Sequence, residues 1–302
     1  MPSGLSAEHF GVDDFYYWDD FWSLAGLRET IAAARLLGKK THFLLKSYRQ
    51  LNDALQESFL FIEKKMGQPL LPISPSRRMD SAAVGCLSAY YPLQLYPITD
   101  ERLQNTLLHM QKNQFIDGSF FHDVNHAGHG TYLALHFAQC FLGLRDTESA
   151  DQILQFLIDR ASQTMTWPEA IHPQTKGGCL GDGHHGWMVA DLLIFLRNGL
   201  FYEDGYRMVF TSYFPKRWLE LKKPIVVERG PSRFGEIGFK IEFIGEHQIN
   251  LNLDIKWVEA PVDLEWHVPV RMKKAKVDGK DYAYDGQRLH FPVDAKKVEI
   301  FY

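Results

Sequence analysis

Residues 167–187 read WPEAIHPQTKGGCLGDGHHGW, and the rest of the chain is ordered around this stretch. Pro168 disfavours helix for Trp167 and imposes an extended turn, so the carboxylate of Glu169 is offered from a loop. The glycine-rich run that follows keeps the backbone irregular until a helical pattern resumes at residue 185. Glu169 stands beside an indole and ahead of a flexible turn. That placement suits a general base; the plainer reading is a loop glutamate that caps the next helix. Three other segments share this mixture of His, Asp, Gly and aromatic residues: SAEHFGVDDFYYWDDFW (6–22), SPSRRMDS (74–81) and FFHDVNHAGHG (120–130).

Between these segments the apolar residues recur at helical spacing. Phe21, Leu24, Ala25, Leu27, Ile31 and Ala34 mark a helix over 18–37 that stops at Gly38. Similar patterns predict helices over 41–66, 80–91, 99–113, 130–142, 147–161 and 185–201, with Thr99 as the N-cap of the fourth. Seven helices joined mostly by short connections read as helical hairpins. In a barrel of such hairpins alternate loops converge on one end, so the four polar and aromatic segments imply one shared pocket. After Gly205 the texture changes. Short β-rich runs (IVVE, IGFKIEFI, INLNLDIKWV, LEWHVPV, AKVDG, RLHFPV, VEIFY) are separated by turns such as DGK and YDGQ, the pattern of an antiparallel sandwich. The expected architecture is mainly α with β: an incomplete (α/α) toroid over 1–204, then a small β-sandwich over 205–302.

Composition narrows the class. Hydrophobic residues at 45% and charged residues at 23% describe a globular chain, and the net charge of −4 gives no basis for nucleic-acid binding or a polybasic membrane patch. No apolar run reaches the 18 or more residues of a membrane span. Cys86, Cys140 and Cys179 are odd in number and follow no pairing motif. The first residues show neither a basic n-region nor an apolar h-region. Together these point to a reducing, cytoplasmic setting. Aromatics at 14% suit stacking on sugar rings as well as the filling of a helical core.

The order of motifs resembles six-hairpin glycosidases of the glucoamylase type. WPEAIHPQTKGG, then GDGHHGW and a helix, is similar to the base-bearing loop of that family. MDSAAVGCLSAYYPLQLYPITDERLQNTLLHMQKNQFIDGSFF and GHGTYLALHFAQCFLGLRDTESADQILQFLI are similar to the helix pairs that precede it, so the resemblance covers most of residues 6–201. It implies that the seven helices are the sixth to twelfth of the barrel, with five absent on the N-terminal side. It also implies that Glu8, ahead of the first helix, corresponds to the general acid and Glu169 to the general base. The chain departs from the family in having Ala7 where a tryptophan is usual, and Trp18-Asp19-Asp20 in place of an aromatic–Ser pair.

An inverting glycosidase needs an acid to protonate the leaving oxygen and an ionised base to activate water on the opposite ring face. The resemblance thus implies hydrolysis of α-glycosidic bonds in a glucose-like oligosaccharide. Asp19, Asp20, Arg77, Arg78 and Asp80 would bind sugar hydroxyls, as would His122, Asp123, His126, His129, Asp182, His184 and His185. Tyr17, Trp18, Trp167 and Trp187 would stack on rings. The alternatives are a sugar phosphorylase on the same barrel, or a non-catalytic carbohydrate-binding or assembly subunit whose barrel a second chain or a second copy completes. His122, Asp123, His126 and His129, and likewise Cys179, Asp182, His184 and His185, are zinc-ligand types. Neither set has zinc-finger or HExxH spacing, so no metal or other cofactor is expected.

Overall fold

The computed structural model describes residues 1–5, 11–124 and 127–302. Two compact units divide the chain, Met1–Leu192 and Leu193–Tyr302. Among the described residues of the first lie α1 (Tyr17–Leu36), α2 (His42–Met66), a 3-10 segment (Ser81–Ala89), α3 (Glu101–Gln114), α4 (Thr131–Leu144), α5 (Thr147–Asp159) and the start of α6 (Gly186–Leu200). Local chemistry sets their ends. Asp146 caps α5 by accepting from the Ser149 N–H at 3.0 Å, and α2 stops at Gly67, whose φ of 73° is the left-handed cap that glycine adopts without a Cβ penalty. The N-cap of α3 is Asp100, not Thr99, because the Asp100 carboxylate accepts from the Arg102 N–H and also pairs with that guanidinium.

The helix expected over 80–91 is the 3-10 segment. All nine of its residues are buried, and it packs against α1, α3 and α4 at the centre of the unit. Aromatic contacts fill the spaces around it. Tyr17 and Phe21 pack on Phe59 of α2, while Phe120 and Phe115 pack on Phe137 of α4. Removing a ring such as fully buried Phe120 would cost about 3–5 kcal/mol.

The chain is mixed α and β rather than mainly α. Part of the reason lies in the loops of the first unit, which pair into a five-stranded antiparallel sheet in sequence order: β1 (Phe115–Ile116), β2 (Ser119–His122), β3 (Gly128–Gly130), β4 (Ala170–Ile171) and β5 (Gly178–Leu180). This sheet ties the 120–130 loop to the 167–187 loop through the pairs His129–Ile171 and Gly130–Ala170.

The second unit carries the remaining strands. One sheet has the order β14-β11-β7-β6, from β6 (Phe201–Asp204), β7 (Arg207–Phe210), β11 (Asp263–His267) and β14 (Arg288–Phe291). The other has the order β13-β12-β15-β10-β9-β8, from β8 (Ile225–Ser232), β9 (Gly235–Ile244), β10 (Gln248–Trp257), β12 (Lys274–Val277), β13 (Lys280–Tyr282) and β15 (Lys297–Phe301). A short helix, α7 (Lys216–Leu221), intervenes. Phe210, Trp266 and Leu289 of the first sheet share one hydrophobic cluster with Ile237, Leu251 and Ile300 of the second. Alternation produces this: Leu264 and Trp266 are buried in that cluster, while Asp263, Glu265 and His267 project to the other face. One pairing departs from the antiparallel expectation, since β7 and β11 run parallel.

Candidate functional site

Glu169 is anchored from three directions. The Trp167 indole is 2% exposed and donates its N–H to the Leu157 carbonyl at 2.7 Å, which pins the start of the loop to α5. Thr131, the first residue of α4, donates its backbone N–H to the Glu169 carbonyl at 3.0 Å and its hydroxyl to the Pro168 and Glu169 carbonyls at 2.8 and 3.0 Å. From the third side comes Gly181, with a φ of 77°; a Cβ placed there would lie 2.9 Å from the Glu169 nitrogen. Glycine is therefore required on two counts, conformation and space.

The Glu169 side chain is 15% exposed and lies 3.9 Å from the His185 Nε2. Burial pushes the His185 imidazole below its ordinary pKa, against the opposing pull of Glu169 and Asp182. At neutral pH it is uncharged, so the contact is not an ion pair. The Met188 N–H donates to His185 Nδ1 at 3.3 Å, which puts the imidazole proton on Nε2, the nitrogen facing the carboxylate. His185 is itself held by its N–H to the Trp167 carbonyl.

Rings extend outward from this pair. Tyr132 lies 5.1 Å from His185 and 5.7 Å from Trp187, whose indole is 53% exposed. On the other side Tyr132 meets His136 at 6.3 Å, and Trp18 stacks on His136 at 6.4 Å and packs at a tilt against Trp22 at 5.5 Å. A carboxylate, an imidazole N–H and a half-open indole next to one another can accept a proton from a hydroxyl or water while a flat apolar ring rests alongside.

The other residues picked from the sequence fall into several groups. Trp18, Trp187 and His185 join Glu169 in this contact chain. Tyr17 and Trp167 are core residues instead: Tyr17 is 1% exposed with its hydroxyl bonded to Ser58 at 2.5 Å, and the Trp167 indole is spent on Leu157, so neither offers a face for stacking. His122 and His129 are 0% and 1% exposed, packed on Phe120 and Phe156, and present no surface to a hydroxyl in this structure. Arg77 pairs with Asp80 at 2.5 Å, Asp80 caps the 3-10 segment, and Asp123 accepts from Ser81 at 2.6 Å, so these polar groups tie loops together. Asp20 pairs with the Met1 amino group, and burial raises the Asp19 pKa. Arg78, Asp182 and His184 are exposed, with Asp182 accepting from the His184 N–H. Glu8 and His126 lie outside the described residues.

Sequence reading missed Tyr132, His136, Trp22 and Asp191, which approaches His136 at 3.9 Å. Their signal was present: Tyr132 and His136 stand four apart, on one face of an otherwise apolar helix. Among the described residues no group of three or more His, Cys, Asp or Glu is placed to hold a metal ion, and no helix is long and apolar enough to cross a membrane.

No protein-family model matches the chain, and no curated protein matches it in sequence. Its fold is that of glycosidases. A glutamate-to-alanine variant of a glycosidase superposes with a TM-score of 0.51 at 17% identity, over 64% of this chain and 54% of that one. A second such variant, in complex with glucose, gives 0.50 at 17%, over 61% and 52%. The Streptomyces avermitilis α-L-rhamnosidase complexed with L-rhamnose gives 0.52 at 13%, over 94% of this chain and 26% of its own. The chain thus spans about half the length of the two glycosidases and about a quarter of the rhamnosidase.

Proposed function

We propose that this chain is the C-terminal part of a six-hairpin glycoside hydrolase of the glucoamylase type, with residues 1–204 as a partial toroid and 205–302 as a β-sandwich. In this reading Glu169 is the general base of an inverting hydrolysis of α-glycosidic bonds in a glucose-like oligosaccharide, and Glu8 is the general acid. The observation that carries it is Glu169 itself: a carboxylate fixed by Thr131 and Gly181, faced by the His185 Nε2–H, with the Trp187 indole open beside it. An ionised base at that point would take a proton from water as it attacks, and an acid roughly 6.5–9.5 Å away would protonate the leaving oxygen. The fold shared with two glutamate-to-alanine glycosidase variants, one holding glucose, supports the same chemistry.

The test is Glu169→Gln. Loss of turnover by about 10³-fold or more with sugar affinity kept supports the base; full turnover, or equal loss of binding, refutes it. NMR of the first product anomer reads inversion against retention.

A second reading, an assembly subunit whose barrel another chain or a second copy completes, is favoured by one observation. Leu36, Phe43, Leu60 and Phe61 on α1 and α2 are 89%, 70%, 67% and 57% exposed, more apolar surface than two amphipathic helices leave to water. A monomer by sedimentation that turns over sugar alone would rule this out.

A further inference from the structure

In the second unit, β8 is the edge strand of the six-stranded sheet and carries a bulge between Val227 and Gly230. Within it Arg229 has a φ of 54°, a left-handed conformation that a residue with a side chain rarely adopts. Bulges and strained residues of this kind recur where a strand re-aims side chains. Gly238 of β9 lies opposite the bulge, and on its other side it pairs with Asp254 of β10. A Cβ at Gly238 would come within 2.5 Å of the Asp254 carbonyl, so the floor there is bare backbone.

We propose that this slot binds one ring of a neutral saccharide. Its cavity of about 420 Å³ lies within the range of small-molecule sites. Its walls are Glu228 and Arg229 on one side and Asp254 on the other, two strand spacings apart, or roughly 9–10 Å. That gap holds a pyranose with room for a hydrogen bond at each edge. Glu228 and Asp254 make no ion pair among the described residues, so both carboxylates are available to hydroxyls. Along β9 the slot is closed by Lys240 and by Glu236, the latter held by Arg229 at 3.3 Å and Lys256 at 3.1 Å. Three acidic and three basic side chains line it, a balance that favours neither a polyanion nor a polycation. The 53% exposed Val226 supplies an apolar edge for the ring's C–H face. The choice of a saccharide among polyhydroxylated ligands rests on the proposed glycosidase function.

The test is affinity electrophoresis of the full chain through gels holding amylose, β-glucan or galactomannan, with isothermal titration against the oligosaccharide of whichever gel retards it. Both wall carboxylates are exposed, so the double variant Glu228→Ala/Asp254→Ala is expected to melt as the parent does. It should weaken retardation at least about tenfold, with Glu228→Gln/Asp254→Asn restoring part of it. Unchanged retardation in the double variant, no retardation in any neutral gel, or retardation only by a polyanionic gel would overturn the proposal. Hydrolysis of a small soluble substrate separates it from the reading of Glu169. Full turnover in Glu169→Gln with retardation lost in the double variant removes the catalytic assignment and leaves the slot. The reverse pattern removes the slot alone.

Discussion

Gly181→Ala tests whether the loop really presses on the carboxylate-bearing backbone. Two costs are separable. The left-handed conformation costs a residue with a Cβ about 1–2 kcal/mol. The added methyl must then displace the Glu169 backbone nitrogen from 2.9 Å, an overpacking cost of about 1–3 kcal/mol. Gly183 supplies the internal control: its φ is 91°, also left-handed, but nothing lies within 4 Å of a Cβ built there. Gly183→Ala should therefore lose only the conformational part, and Gly181→Ala about 2–5 kcal/mol in all. For a unit of this size a loss near 3 kcal/mol lowers Tm by about 6–12 °C. Differential scanning calorimetry of both variants gives the difference, and turnover gives its consequence, since a misplacement of about 1 Å can cost 10²-fold in rate. Equal melting points and equal activities in the two variants would refute the reasoning, because the clash would then have no weight.

Two further predictions concern pH. Burial alone would raise the Glu265 pKa, but hydrogen bonding with His267 and the charges of His267, His290 and Arg207 hold it at about 2. Its stabilisation, on the order of 3 kcal/mol, is present above pH 4.5 and is lost as pH falls towards 2; urea titration across that window should show the loss, and Glu265→Gln should flatten it. Burial lowers His136 to about 4, so the unfolded chain takes up a proton first. Stability should fall between pH 6.5 and 4, and a His136→Gln variant with the same slope there would disprove it.

Much of the helical scaffold was legible because apolar periodicity over a dozen or more residues is a strong signal, as in α2 and α5. The small sheet was not, because strands of two to four residues leave no period to read. What binds β3 to β4 is a pairing across forty positions, which only the folded chain creates. The site was half legible for a related reason. Composition marked Trp167 and Trp187 alike, yet the first is spent on a core hydrogen bond and the second is open. Glu169 was legible from Pro168 and the glycines; its anchor, Thr131, read only as the start of a core helix.

The parallel pairing of β7 with β11 has a consequence for how the chain is made. The β6–β7 hairpin forms from residues 201–210, but the strand that covers its free edge begins at Asp263. At ribosomal rates of about 5–20 residues per second, that edge waits on the order of 3–10 s for its neighbour to be synthesised. During that interval the backbone groups on that edge of β7 have no partner strand, and the uncovered edge is a template for a neighbouring nascent chain. Slow synthesis or crowded polysomes should therefore favour aggregation, and a chaperone that shields exposed strand edges should raise the yield of folded protein.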